Sequence, residues 1–215
     1  MSIVTRKPPI KETVGAQYVC FNNPTENNEW SNAYAEEVEK TEVVKSVKVT
    51  ENSENSDVYA SGKVYDSDTS TSHTDIEVSV VAFPADTLAK MRGEVVDNGG
   101  LHLSGGKGVR PYFAYGKVVK LKNGKVRFEW FPKCKLASNS DEINTREGKF
   151  SEQPDTITIS AYPFNENDDI RSYVDSSASN YPEGLTEEMF FTKPILTPAD
   201  LNAAIPANVQ EESEA

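Results

Sequence analysis

The chain has 215 residues, with 34 acidic against 22 basic side chains giving a formal charge of −12, and 37% of its residues are hydrophobic. That length suits one domain with extensions, and the composition is that of a chain that buries a core rather than of a disordered one. The acidic balance excludes stable electrostatic capture of nucleic acid or of an anionic membrane, which needs clustered Lys and Arg, although DNA can still pass by.

Met1 to Lys7 holds no apolar signal-peptide core, and no later stretch approaches the ~18 apolar residues of a membrane span. The expectation is synthesis in the cytoplasm without membrane insertion. Cys20 and Cys134 stand far apart with no Cys or His at metal-ligand spacing, which predicts two buried free thiols.

Residues 1–12, with Pro8-Pro9, read as an extended arm, and residues 13–179 as one β domain. Thr13 to Phe21 is the first strand, with Val14, Ala16, Tyr18 and Cys20 on one face. Asn22 to Asn32 is a turn-rich loop anchored by Trp30. The valines at 38, 43, 44, 47 and 49 predict a strand over Glu37 to Thr50. Residues 51–72 are dominated by Ser, Asp, Thr and Asn and read as a long polar loop projecting from the domain.

Thr74 to Leu136 is the most strongly patterned stretch. Ile76, Val78, Val80 and Ala82 alternate with polar residues as in a half-buried strand, which Phe83-Pro84 ends. Ala85 to Arg92 predicts two helical turns, with Asp86 in the first, Lys90 and Arg92 in the last, Gly93 as the stop, and Leu88 and Met91 toward the sheet. A glycine-rich loop follows. Tyr112 to Leu121 and Val126 to Leu136 flank Asn123-Gly124, the strongest short-range hairpin signal. Thr156 to Tyr162 is another alternating strand, with Ile157, Ile159 and Ala161 inward. A short helix is expected around Ile170 to Val174. Residues 180–215 carry Pro182, Pro194, Pro198 and Pro206 and read as a second extended arm, on which Phe190, Phe191, Ile195 and Leu196 need burial that another subunit can supply. The fold class is mainly β, sandwich or barrel-like, with one short flanking helix and extended terminal arms.

No catalytic, cofactor or metal site emerges. In Gly99 to Gly108, Leu101 stands where a phosphate loop needs its first glycine, and Gly108 where it needs the hydroxyl that holds Mg²⁺. Asp66, Asp68, Ser70 and Glu77 match part of a calcium-loop template, but Thr71 occupies its obligatory glycine position. His73 and His102 are the only histidines and sit at no triad or metal spacing, and the adjacent carboxylate pairs look like solvated faces. The aromatics Tyr112, Phe113, Tyr115, Phe128, Trp130 and Phe131 read as hairpin core and interface, with a stacking platform as the other possibility.

Leu88 to Gly93, Asp97-Asn98-Gly99-Gly100, Pro111 to Lys117 and the hairpin closing on Phe131 to Leu136 resemble, in that order, the phi13-type major tail proteins of long-tailed phages of Gram-positive bacteria. The Val58-Tyr59-Ala60 step and the Thr156 to Tyr162 strand fit the same pattern, so the resemblance spans roughly Lys40 to Ser177. It implies a siphovirus tail tube subunit, self-assembled into stacked hexameric rings through which DNA leaves the capsid. Its place would be the virion of a bacteriophage. Its partners would be itself, the tape measure protein, the tail terminator and the distal tail protein, with DNA only in transit. It would need neither cofactor nor membrane. Under that reading Val58, Tyr59, Tyr65, Asp66 and Asp68 belong to an inter-ring loop, and Tyr112, Tyr115, Lys117, Arg127 and Trp130 to an inter-subunit sheet. Phe190, Phe191, Ile195 and Leu196 make arm contacts. The tail after Ser179 is too short and proline-broken for a C-terminal immunoglobulin-like decoration. The alternative is a β-sandwich module binding carbohydrate or a host surface, with Trp130 as its test residue.

Overall fold

Period-2 alternation of β-branched and aromatic residues builds most of the molecule. The computed structural model of the chain describes residues 7–96, 100–105, 108–145, 148 and 152–205. Of the expected arms, residues 1–6 and 206–215 lie outside the described residues, as do Asp97 to Gly99 and Gly106-Lys107 of the glycine-rich loop.

The strands are β1 (Lys11–Phe21), β2 (Glu39–Thr41), β3 (Val44–Ala60), β4 (Lys63–Val80), β5 (Val95–Val96), β6 (His102–Leu103), β7 (Phe113–Leu121), β8 (Val126–Ser140), β9 (Asp155–Ala161) and β10 (Ser172–Asp175). Helix α1 (Ala85–Arg92) follows β4, and α2 (Glu187–Phe190) and α3 (Pro198–Ala204) come last. One antiparallel sheet runs in the order β2-β1-β7-β8-β9-β4-β3, with β10 added to β8, while β5 and β6 pair separately. The fold is mainly β, as the alternation predicts.

Strand β8 is long enough to serve two neighbours on one side. Arg127 to Trp130 pair with β10, and Cys134 to Ser140 pair with β9. The sheet therefore folds over along β8. Between its halves lies the first core, where Val19, Phe113, Tyr115 and Phe131 meet Ile76, Val78, Ile157 and Ile159. The Asn-Gly turn sits where the sequence puts it, with Asn123 and Gly124 both at positive φ (67° and 70°), the backbone that only such residues adopt cheaply. Helix α1 spans the predicted residues and ends on Gly93 at φ 67°, ψ 35°. Met91 is fully buried against the first core, while Ala82, expected inside, lies beyond the end of β4 and is exposed.

Two expectations are corrected. Residues 51–72 are not a loop: β3 and β4 pair from Val44↔Val80 to Ala60↔Lys63, with register shifts after Val44, Asn52 and Val58, closed by Ser61 and Gly62 at positive φ. The expected helix at Ile170 to Val174 is strand β10, whose edge position on β8 suits Tyr173 and Val174 better than a helix would.

The segment after Ser179 is the third correction. Far from extending away, it folds back over the outer face of β1, β7 and β8 and closes a second core. Phe190, Phe191 and Ile195 are buried there against Tyr18, Val118, Phe128 and Trp130 of the same chain, and Leu196 is half-buried. Phe191 stacks on Tyr18 at 3.8 Å between ring centroids, and Trp130 Nε1 donates to the Phe190 carbonyl at 3.1 Å. The apolar side chains expected to seek another subunit are satisfied at home, because the outer face of β7–β8 is itself apolar and would otherwise be wet.

Candidate assembly surfaces

The β3–β4 ribbon has two regimes. Its base is part of the sheet, since β9 pairs with β4 from Thr74 to Val80, and Val47, Val49, Ile76 and Val78 pack into the first core. Beyond Glu51 and Thr74 no further strand joins among the described residues, so Asn52–Ala60 and Lys63–His73 continue as a two-stranded ribbon. Ten residues at about 3.3 Å each carry it roughly 30 Å from the sheet. At its root Asn52 Nδ2 donates to Asp75 Oδ2 at 2.8 Å, and Ser160 Oγ donates to the other oxygen of Asp75 at 2.8 Å, fixing where the ribbon leaves β9. Near the tip Ser67 Oγ donates to Asp57 Oδ1 at 2.7 Å.

The tip exposes what a folded chain usually hides. Tyr59 is 68% and Tyr65 80% solvent-exposed, with Val64 beside them. Asp66 is exposed in the same stretch. Of the predicted inter-ring residues, Tyr59, Tyr65 and Asp66 are thus gathered on one protruding ribbon. Val58 and Asp68 lie on it by strand pairing, opposite Asp66 and Ser56, their side chains being outside the described residues. The extended strand also separates Asp66 from Glu77 by about 36 Å at the usual rise, so the calcium-loop match cannot close on one ion.

The predicted inter-subunit sheet is not at an edge. β7 is paired with β1 on one side and β8 on the other, and β8 is flanked by β7, β9 and β10. Tyr115 and Trp130 are fully buried within the chain. Lys117 is ion-paired with Glu129 at 2.8 Å, Arg127 with Asp175 at 2.7 Å, and Tyr112 lies under Lys135, whose Nζ is 4.0 Å from the ring centroid. None of the five presents a free strand edge. With its ring under Phe191, Trp130 also offers no stacking surface for a sugar.

No protein-family model matches the chain, and no curated protein is significantly similar to it. The surfaces must be read from their own chemistry.

Among the described residues the main sheet has free edges at β2, at β3 and along the outer side of the short β10. The edge of β3 is 17 residues long and carries Lys45, Lys48 and Glu51 along its base, a row of unpaired backbone groups that invites another strand. Sequence reading placed a strand over its base up to Thr50 but missed its continuation from Glu51 to Ala60, where few apolar residues mark it. The available signals were Ser61-Gly62, a two-residue turn, and the Ser, Thr, Val and Tyr flanking it.

The two thiols are unreactive. Burial, with Glu39 nearby, pushes Cys20 up to about 11, and complete burial pushes Cys134 higher still, so neither supplies a thiolate at neutral pH. Among the described residues no group of three His, Cys, Asp or Glu is arranged to hold a metal, and no helix is long and apolar enough to cross a membrane.

Proposed function

We propose that this chain is the structural subunit of a phage tail tube, working by self-assembly into stacked hexameric rings and not by catalysis. The observation that carries the reading is the β3–β4 ribbon. A two-stranded ribbon is marginal in water on its own, and this one ends in exposed Tyr59, Val64 and Tyr65. Its length, its isolation and its aromatic tip are what a contact between successive rings requires. The long β3 edge supplies the second contact: pairing it with a neighbour's edge around a closed ring removes the aggregation hazard it poses. The sequence resemblance gives the ring number and the partners, which are the tape measure protein, the tail terminator and the distal tail protein. The net charge of −12 suits a conduit, since a negative wall repels phosphates and lets DNA slide.

Excising Asn52 to Thr71 and rejoining the strands through a two-residue turn tests it. The expected product keeps its circular dichroism and cooperative unfolding but forms no tubes by negative-stain microscopy. Tubes that grow as in the wild type would remove the ribbon from the assembly mechanism.

A further inference from the structure

Beside Val47 and Val49, which pack on the first core, lies a polar cavity of about 410 Å³. Four cations line it: Lys11 from β1, Lys117 from β7, Arg127 from β8 and Arg171 just before β10. Two carboxylates, Glu51 and Glu129, share it. On a chain of charge −12 a cavity with surplus positive charge is unexpected.

The bonding pattern sharpens the point. Lys117 and Glu129 are both nearly buried and hold each other at 2.8 Å. Arg127 spends Nε and Nη2 on Asp175 at 2.9 and 2.7 Å, leaving Nη1 3.8 Å from Glu129, beyond hydrogen-bond reach. Arg171 Nη2 is 3.6 Å from Glu51, also too far, and its guanidinium lies 5.4 Å from the Tyr173 ring centroid, which restricts its orientation. Lys11 has no carboxylate within ion-pair distance among the described residues. Three cationic groups around one cavity thus keep donors free of any acceptor among the described residues: the Lys11 ammonium, Arg127 Nη1, and the whole guanidinium fork of Arg171, a geometry suited to oxyanions.

We propose that this cavity is an oxyanion-binding site, taking a phosphate or carboxylate group between Lys11, Arg127 and Arg171, with the buried Lys117–Glu129 pair as its floor. The oxyanion is either a free ion or a carboxylate from a second copy of the chain. Val47 and Val49 add an apolar wall on one side.

The test uses the full chain and inorganic phosphate against chloride at matched ionic strength, read by thermal unfolding at low protein concentration. A free-ion site predicts a saturable rise in Tm of several degrees that the double variant K11Q/R171Q loses. Both positions are exposed, so the variant should keep the wild-type Tm in chloride. A carboxylate from another copy predicts instead no phosphate shift, but self-association weakened at least tenfold by K11Q/R171Q in sedimentation velocity. The proposal is overturned if K11Q/R171Q leaves both the phosphate shift and self-association unchanged, or if wild type and variant show neither.

Discussion

At the scale of single residues, Gly116 makes room for the second core. A Cβ there would stand 2.7 Å from Phe191 Cε1 and 2.9 Å from the Trp130 ring, so Gly116→Ala must push the C-terminal segment off the sheet. The expected cost is about 1–3 kcal/mol, measurable by denaturant unfolding. The Lys117–Glu129 pair makes a contrasting prediction. Lys117→Met strands a buried carboxylate and should cost ~3–5 kcal/mol, whereas Lys117→Met with Glu129→Leu should recover most of it. Equal destabilisation of single and double variants would show that Arg127 already compensates Glu129. Glu187 carries the pH dependence of the C-terminal latch. Burial raises its pKa, but the bonds from the Tyr18 hydroxyl at 2.5 Å and Lys40 at 3.0 Å outweigh that and leave it lowered. A carboxyl held below its unfolded value contributes stability that is present above the ordinary carboxylate range and lost as pH falls through its folded pKa. Glu187→Gln should therefore lower Tm at neutral pH and reduce its fall on acidification; an unchanged acid limb would place the titration elsewhere.

At the scale of elements, the C-terminal segment and the ribbon behave oppositely. The segment after Ser179 is anchored, with Ser172 Oγ donating to the Ile195 carbonyl at 2.6 Å and α3 opened by a Thr197–Asp200 capping box with Pro198 in its first turn. Phe191→Ala should cost about 3–5 kcal/mol. Among the described residues the ribbon has no such anchorage to the rest of the chain past the Asn52–His73 root, so its amides at 52–60 and 63–73 should exchange rapidly in the free subunit. They should be protected at least tenfold once assembled. Equal exchange in both states would mean the ribbon makes no contact in the assembly.

These elements also mark what sequence could reveal. Where one face is buried, alternation is strict, and strands β1 and β9, the second half of β4, the Asn123-Gly124 turn and helix α1 were legible nearly to the residue. The ribbon was not, because with neither face buried nothing imposes an apolar period, and Ser, Asp and Asn mimic a loop. In the C-terminal segment, prolines suggested an arm, yet Thr197-Pro198 is a helix start and Thr186 caps α2 by accepting from Met189 N. The hairpin β7–β8 looked like an assembly edge because its aromatics exceed what two strands can bury. Their partners were β1, β9, β10 and the chain's own last helices, which no local pattern reveals. Of the candidate assembly residues, Tyr59, Tyr65 and Asp66 lie exposed on the ribbon, while Tyr115 and Trp130 are core.

For the whole molecule, two cores bury most large apolar side chains, the ribbon tip gathers exposed Tyr59, Val64 and Tyr65 while others such as Leu101, Val109 and Ile143 are exposed elsewhere, and one long strand edge is left unpaired at β3. A free monomer with that edge is at risk of uncontrolled association; a closed ring with stacked neighbours is not. The charged base of β3 and the net negative charge slow indiscriminate pairing until a defined partner is met. The most direct measurement is electron microscopy of the purified protein at high concentration, alone and with tail partners. Stacked rings of six copies, with the ribbon bridging successive rings, are the expected result; monodisperse monomers under every condition would contradict it.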